Sequence, residues 1–367
     1  MELKLSINNK HYNKFYLMII KKLLIILLIA ISTFSYAQTG HYYPADRYSN
    51  SLISDLCQDK YGNIWIATDY GLNKFDGYQF TSYLHDDTDS TSICSNAVVE
   101  LLCDSKGRLW VGTNRGLDLY NDDLNAFIHY KFPADVRPRI SDVVELSDGR
   151  ILFCTAGYGT FVIGEDNVLK TTEEFSADAN DKFFSYAYVD SKNRFWKGAY
   201  NNSLLMKADG KFHSFVSTVG SPVGIVERAD EILIVCLHGI MSYKNGKMQE
   251  SDIDMSVLKS TDALLSVAKM DSNGNIYIGT RGSGLYYIPM GSHTLERVDV
   301  DALGVNLNTA KVWSMLFDHH GNMWLGLQRK GLLMVPLRPL QFSAWSFEMQ
   351  NLQVGSSITS VCLGDDG

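Results

Sequence analysis

Hydrophobic and polar positions along this chain fall into one phrase that returns seven times, at spacings of 37 to 47 residues. Each copy runs a hydrophobic strand, a D-x-x-G turn, an apolar strand centred on an aromatic residue, and a G-[IL] step. The clearest copies are residues 59–68, ending at Gly71-Leu72, and 104–113, ending at Gly116-Leu117. Residues 271–280 and 318–326 repeat the phrase, and weaker copies are anchored at 149, 193 and 230, in register with 62, 107, 274 and 321. An eighth copy starts at Ile358 and reaches Asp366-Gly367. A fixed period of this size marks a repeat architecture, and it decides the fold before any single residue is read.

Each period has room for about four short strands and their turns. The D-x-x-G turn fits an antiparallel hairpin, with Asp bonding the backbone ahead of it and Gly taking the left-handed position. Asn193 replaces that Gly in the fourth copy, and Asn tolerates the same conformation. The run Ile64-Trp65-Ile66 is apolar on both faces, so its strand is covered on both sides. The small pairs Ala67-Thr68 and Gly112-Thr113 allow close backbone approach. Four-stranded units repeated radially make a β-propeller. The expected fold is therefore all-β: a seven-bladed β-propeller of four-stranded blades, with the start of a second propeller at the C-terminal end.

Outer strands are expected at 79–83, 126–130, 211–215 and 341–345, all aromatic-rich. A similar piece, His41-Tyr42-Tyr43, precedes the first copy. It is expected to close the ring by joining the seventh blade, which leaves 342–347 as the opening strand of a second propeller. Residues 38–340 then form the propeller, and 341–367 the opening strand and first, incomplete phrase of its successor.

Residues 1–37 read as an export signal. Lys14, Lys21 and Lys22 precede the apolar stretch 23–31, and Ser35-Tyr36-Ala37 forms a small-x-small cleavage site before Gln38. The apolar stretch is too short to span a bilayer comfortably. Cleavage leaves 28 basic against 40 acidic residues, a net charge of −12. An acidic exported domain is a poor nucleic-acid binder and is not drawn to anionic membranes. Export permits disulfides. Cys57 and Cys362 nevertheless hold one repeat position, Cys103 is one residue off it, and Cys154 sits where Ala67 and Gly112 sit. They read as small core residues rather than a disulfide framework. With no C-x-x-C pair, no metal site is expected.

Catalytic signatures are absent from the sequence. The nine histidines form no H-E-x-x-H, and no G-x-S-x-G occurs. The stretch 271–275 lacks the downstream Glu of a calcium loop. The repeated Asp59, Asp104, Asp190, Asp271 and Asp318 read as turn caps, being too far apart on separate blades to act as an acid/base pair. Sialidase-type propellers carry S-x-D-x-G-x-x-W, a spacing this chain does not have. No catalytic residue, metal or cofactor is assigned.

Positions that vary while their frames hold constant are the better candidates. Between the second strand and G-[IL] lie Asp69-Tyr70, Asn114-Arg115, Tyr200-Asn201, His238, Arg281 and Gln328-Arg329. Equivalent turns face one rim of the ring. Tyr, Asn, Arg, His and Gln stack on sugar rings and bond hydroxyls. Any one of them alone reads as an ordinary exposed turn residue; together they form a candidate ligand face.

The phrase I-S-D-L-C-Q-D-K-Y-G-N-I-W-I-A-T-D-Y-G-L-N-K-F-D-G, residues 53–77, resembles the two-component regulator propeller repeat. The likeness extends over nearly all of 41–367 and is degenerate in copies three to five. It implies the N-terminal periplasmic sensor part of a Bacteroidetes-type hybrid two-component protein. In that family two propellers and a β-sandwich precede a transmembrane helix, a histidine kinase and a receiver, often with a DNA-binding helix-turn-helix. The resemblance implies an oligosaccharide ligand from polysaccharide breakdown and control of glycan-use genes. Its implied partners are a following propeller and membrane-linked kinase domains, with a homodimer left open, and its location is the periplasm. The kinase side is not in this chain, so the chain is expected to bind and signal rather than catalyse. Ending within a phrase is what the front part of a longer product is expected to show. Two readings compete: a propeller enzyme, lyase or glycosidase, which needs titratable groups gathered at the central channel, and a scaffold that docks another protein.

Overall fold

The second strand of each repeat dictates how the repeats associate. Ile64–Thr68, Leu109–Thr113, Ile151–Thr155 and Ile276–Thr280 are buried along their whole length. A strand apolar on both faces needs a partner sheet on each side. The computed structural model, which describes residues 40–175, 186–199, 201–258, 263–298 and 305–337, meets that need with a ring of seven four-stranded antiparallel sheets. Expected segments 1–37, 342–347 and 358–367 lie outside the described residues.

Six blades are built from four consecutive strands. The seventh combines Val312–Phe317, Asn322–Leu327 and Gly331–Pro336 with His41–Pro44 from the other end of the chain. His41 pairs with Met334 and Pro44 with Gly331. Tyr43 then stacks on Trp324, with ring centroids 5.8 Å apart, and packs on Phe75 of blade one at 5.1 Å. The strand expected to close the ring does so.

Core clusters lie between blades rather than within them. Trp65, Leu72, Leu101, Leu109 and Val111 pack together between blades one and two. Ile53, Ile66, Trp324 and Leu332 do the same between blades seven and one. At Gly326, where blades seven and one converge, there is no room for a side chain: a Cβ would lie 2.8 Å from Ile53 of blade one. Asn193, with φ of 57°, supplies the left-handed turn its position requires.

Expected outer strands appear at Phe80–Tyr83, Ala126–Tyr130 and Lys211–Val216. Those of blades three, five and six, at Leu169–Thr172, Lys247–Glu250 and Glu296–Arg297, are short and lack aromatic residues, which hid them in the sequence.

Inner strands share a feature not foreseen in the sequence. Six of them shift register near their start, between Ile53 and Asp55, Val98 and Glu100, Ile140 and Asp142, Pro222 and Gly224, Leu265 and Val267, and Val312 and Ser314. The skipped residue has no partner on the second strand, and the bulge re-aims the side chains beside it. Because Ile53 pairs with Thr68, the bulge lies at the end of the ring that carries the turn into G-[IL]. The D-x-x-G turns occupy the opposite end.

Candidate functional site

The described candidate ligand-face residues fall on the turns between second and third strands. Asp69, Tyr70, Asn114, Arg115, Asn201, His238, Arg281 and Arg329 are exposed, and Gln328 is half-buried. Tyr200 lies outside the described residues. The frames of these turns are fixed by the backbone. The Asp69 N–H donates to Leu52 O at 3.1 Å, the His238 N–H to Val219 O at 2.9 Å, and the Arg329 N–H to Ser51 O of blade one at 3.2 Å. Asn114 is partly engaged, its Oδ1 accepting from Ser95 Oγ at 2.7 Å.

At this end one further residue stands out that the sequence reading missed. Trp313 is the residue skipped by the bulge of the seventh blade and remains 37% exposed, whereas Trp65, Trp110 and Trp196 are fully buried. The Arg281 guanidinium lies over its ring, 5.0 Å from the centroid. An exposed indole with a guanidinium against it offers a flat apolar surface and a fan of N–H donors side by side. The signal was present in the sequence: Trp313 precedes its turn glycine by eight residues, a position held by Ser54, Val99 and Ser266 in other copies.

Along the central channel the inner strands gather titratable groups from separate blades. Asp55, Glu100, Asp142, Tyr186 and Lys269, with His319 at the D-x-x-G end, line a cavity of about 350 Å³. The three acids each stand seven residues before a turn glycine, on three consecutive blades. A cluster of this kind is what the sequence could not display, because its members are more than 40 residues apart.

Electrostatics in the channel follow from enclosure. Burial pushes the Asp55 carboxyl above its ordinary range, although Lys269 and a hydrogen bond from the Leu101 N–H at 2.9 Å oppose the shift. Burial raises Glu100 well above its ordinary value, and the neighbouring Asp55 and Asp142 charges push the same way. Burial carries Asp142 up to about 7, against a hydrogen bond from the Ala187 N–H at 2.6 Å. For Lys269, enclosure favours the neutral amine, but Tyr186 and the three acids outweigh it and raise its pKa. One ammonium thus stands among three acids whose carboxyls are all pushed above their ordinary range. Asp55 and Asp142 also fasten blades together, since Leu101 and Ala187 belong to the next blade in each case.

The repeated turn aspartates have a larger role than capping. Asp59 accepts from the Tyr61 and Asn63 N–H groups, both at 2.9 Å, and from the Trp65 indole Nε1 at 2.8 Å. Asp104, Asp190 and Asp318 hold Trp110, Trp196 and Trp324 in the same way at 2.9, 2.7 and 2.8 Å. In these four copies the turn carboxylate anchors the indole buried beside it.

Cys94, Asp118 and His129 place their donor atoms within 4.8 Å of one another, a donor set that suits a transition metal. Their hydrogen bonds explain them differently. Asp118 accepts from the Cys94 N–H at 2.7 Å and is bonded to His129 Nδ1 at 2.7 Å, which raises the His129 pKa. In blade one the same places hold Ser49, Asn73 and Ser82, with Asn73 Oδ1 accepting from the Ser49 N–H at 3.0 Å and Ser82 Oγ at 2.6 Å. The trio is one version of a network that ties a blade to the loop by which the chain enters it.

Residues 47–70 and 92–115, within the first two blades and the loops entering them, match the two component regulator propeller. Histidine kinase P4 of Formosa agariphila is 48% identical over 52 residues, which are 14% of this chain and 4% of that protein. The extracellular domain of a putative hybrid two component system from B. thetaiotaomicron superposes with a TM-score of 0.70 at 19% identity, over 84% of this chain and 43% of that one. Virginiamycin B lyase from Staphylococcus aureus superposes with a TM-score of 0.65 at 15% identity, over 82% of this chain and 99% of the lyase. At these identities the two structures share the propeller fold. The chain spans less than half the length of the first two relatives.

Proposed function

We propose that this chain is the extracytoplasmic ligand-sensing part of a hybrid two-component sensor kinase and regulator. Its ligand is a short oligosaccharide released by polysaccharide breakdown, and its output is transcription of glycan-use genes through kinase and regulator domains elsewhere in the protein. In this reading residues 1–37 direct export to the periplasm, 38–340 form the sensor, and 341–367 begin a second propeller. The full-length protein is anchored in the inner membrane, and a homodimer is one arrangement through which it signals.

The observation that carries the reading is the exposed Trp313 with Arg281 over its ring, at the end of the ring where the frames are constant and the residues between them vary. A sugar ring presents axial C–H groups to an indole face and hydroxyls to guanidinium and amide groups, which suits this set. The family repeat and the likeness to extracellular domains of hybrid two component systems support it. Calorimetric titration of purified 38–367 against a library of oligosaccharides tests it. Saturable binding that falls at least tenfold in Trp313→Ala and Arg281→Ala is expected. Binding that both variants leave intact places the ligand elsewhere, and a library without a binder removes the sugar.

The channel acids and Lys269 favour a second reading, a propeller enzyme, which the likeness to virginiamycin B lyase also supports. It ranks second because Asp55 and Asp142 already accept backbone N–H groups from the next blade. Conversion of a bound oligosaccharide by the wild type, lost in Glu100→Gln, reverses the order.

A further inference from the structure

Cys57 and Cys103 were read in the sequence as small core residues, the second one place out of register. That single-place offset has a structural meaning. Successive side chains of a strand point to opposite faces. Cys57 pairs with Trp65 on its own blade, and the equivalent residue of blade two is Leu102, which pairs with Trp110. Leu102 packs with Phe153 and Val143, toward blade three. Cys103, one residue on, faces the other way and packs in the cluster between blades one and two, with Cys57 and Trp65. The offset turns the second cysteine back toward the first.

Their Sγ atoms lie 2.6 Å apart, across two blades and 46 residues of chain. Two unbonded sulfur atoms do not pack so closely, and a bonded pair sits at about 2.05 Å. Both residues stand on inner strands and border the channel cavity. Cys94 faces Thr113 Oγ1 at 3.1 Å and Cys236 faces Ser217 Oγ at 3.3 Å, so neither has a cysteine in reach of this kind.

We propose that Cys57 and Cys103 are a disulfide site that joins blade one to blade two. In an oxidising compartment the two thiols give up two protons and two electrons to a disulfide oxidant, which is reduced to two thiols. One cysteine thiolate attacks the oxidant and releases its first thiol. The other cysteine attacks the protein sulfur of that mixed disulfide and releases the second. Burial holds the Cys57 thiol well above its ordinary range, so this exchange is slow in the closed ring and occurs while the blades assemble. The bond fixes the separation of the strands that carry Asp55 and Glu100, two and three residues before the respective cysteines. It therefore sets the width of the channel on that side. The site is independent of what the propeller senses.

The test is refolding of reduced, unfolded 38–367 in a mixture of reduced and oxidised glutathione, followed by alkylation and peptide mapping. A linked peptide pair containing Cys57 and Cys103, two mass units lighter than the reduced pair, is expected, with Cys94, Cys154, Cys236 and Cys362 alkylated. Closing a loop of this length shifts the folding equilibrium by about a thousandfold. The wild type should therefore lose about that factor on reduction, while the double variant Cys57→Ala/Cys103→Ala is insensitive to reductant. Alkylation of both cysteines in protein that has regained its native circular dichroism overturns the proposal. So does a glutathione adduct on either of them, or equal sensitivity of wild type and double variant to reductant.

Discussion

Replacing Asp59 by Ala tests whether the repeated turn aspartate is an anchor for its tryptophan or only a turn former. Asp59 accepts four hydrogen bonds: from the Tyr61 and Asn63 N–H groups, from the Asn63 amide at 2.8 Å and from the Trp65 indole at 2.8 Å. The turn groups lie near the surface and can bond water once the carboxylate is gone. The indole N–H cannot, because Trp65 is 0% exposed. An orphaned buried donor costs about 1–3 kcal/mol, and the lost turn bonds add about 1 kcal/mol. The substitution should therefore cost about 3 kcal/mol. In a Trp65→Phe background the donor is absent, so Asp59→Ala should cost only the turn share. The coupling between the two sites should be about 2 kcal/mol. Urea denaturation of the four proteins, followed by circular dichroism, measures all sides of this cycle. A cost within about 0.5 kcal/mol of zero, or the same cost in both backgrounds, would refute the anchoring argument.

Two further outcomes follow from the channel and from ring closure. Asp142 has a folded pKa of about 7, against about 3.9 when unfolded, so the folded state binds more protons between these values. Its contribution to stability is complete below pH about 4 and is lost as pH rises through about 7. Stability of the wild type should fall across that window, and Asp142→Asn should flatten the slope in a pH series of denaturation midpoints. At the seam, Tyr43→Ala removes the ring that bridges Trp324 and Phe75, and should cost about 2–4 kcal/mol. Deletion of 40–44 should cost more, and an unchanged midpoint in either protein would show that the ring closes by other means.

The period, the D-x-x-G turn and the doubly buried second strand were legible because each is local and recurs at a fixed offset. Ring closure by His41–Pro44 was legible because its aromatics match the outer strands of the first copies. The thin outer strands of blades three, five and six were not, because their burial is slight and their sequences carry no pattern of their own. The channel acids escaped for a different reason. A carboxylate in a strand reads as a solvent-facing residue, and only the ring turns Asp55, Glu100 and Asp142 toward a common space. Their shared offset of seven residues from the turn glycine was the available signal. Trp313 was hidden by a bulge, which no hydrophobic pattern announces, and the facing of Cys57 and Cys103 by an offset that looked like loss of register.

The measurement that tests the sensing account most directly is hydrogen exchange of 38–367 with and without the oligosaccharide that binds best in the library titration. Protection is expected at 281–283 and 311–314, around Arg281 and Trp313, and in the neighbouring turns at 69–70 and 328–329. Protection confined to the D-x-x-G end, or none at saturating ligand, would contradict the assignment of the ligand face.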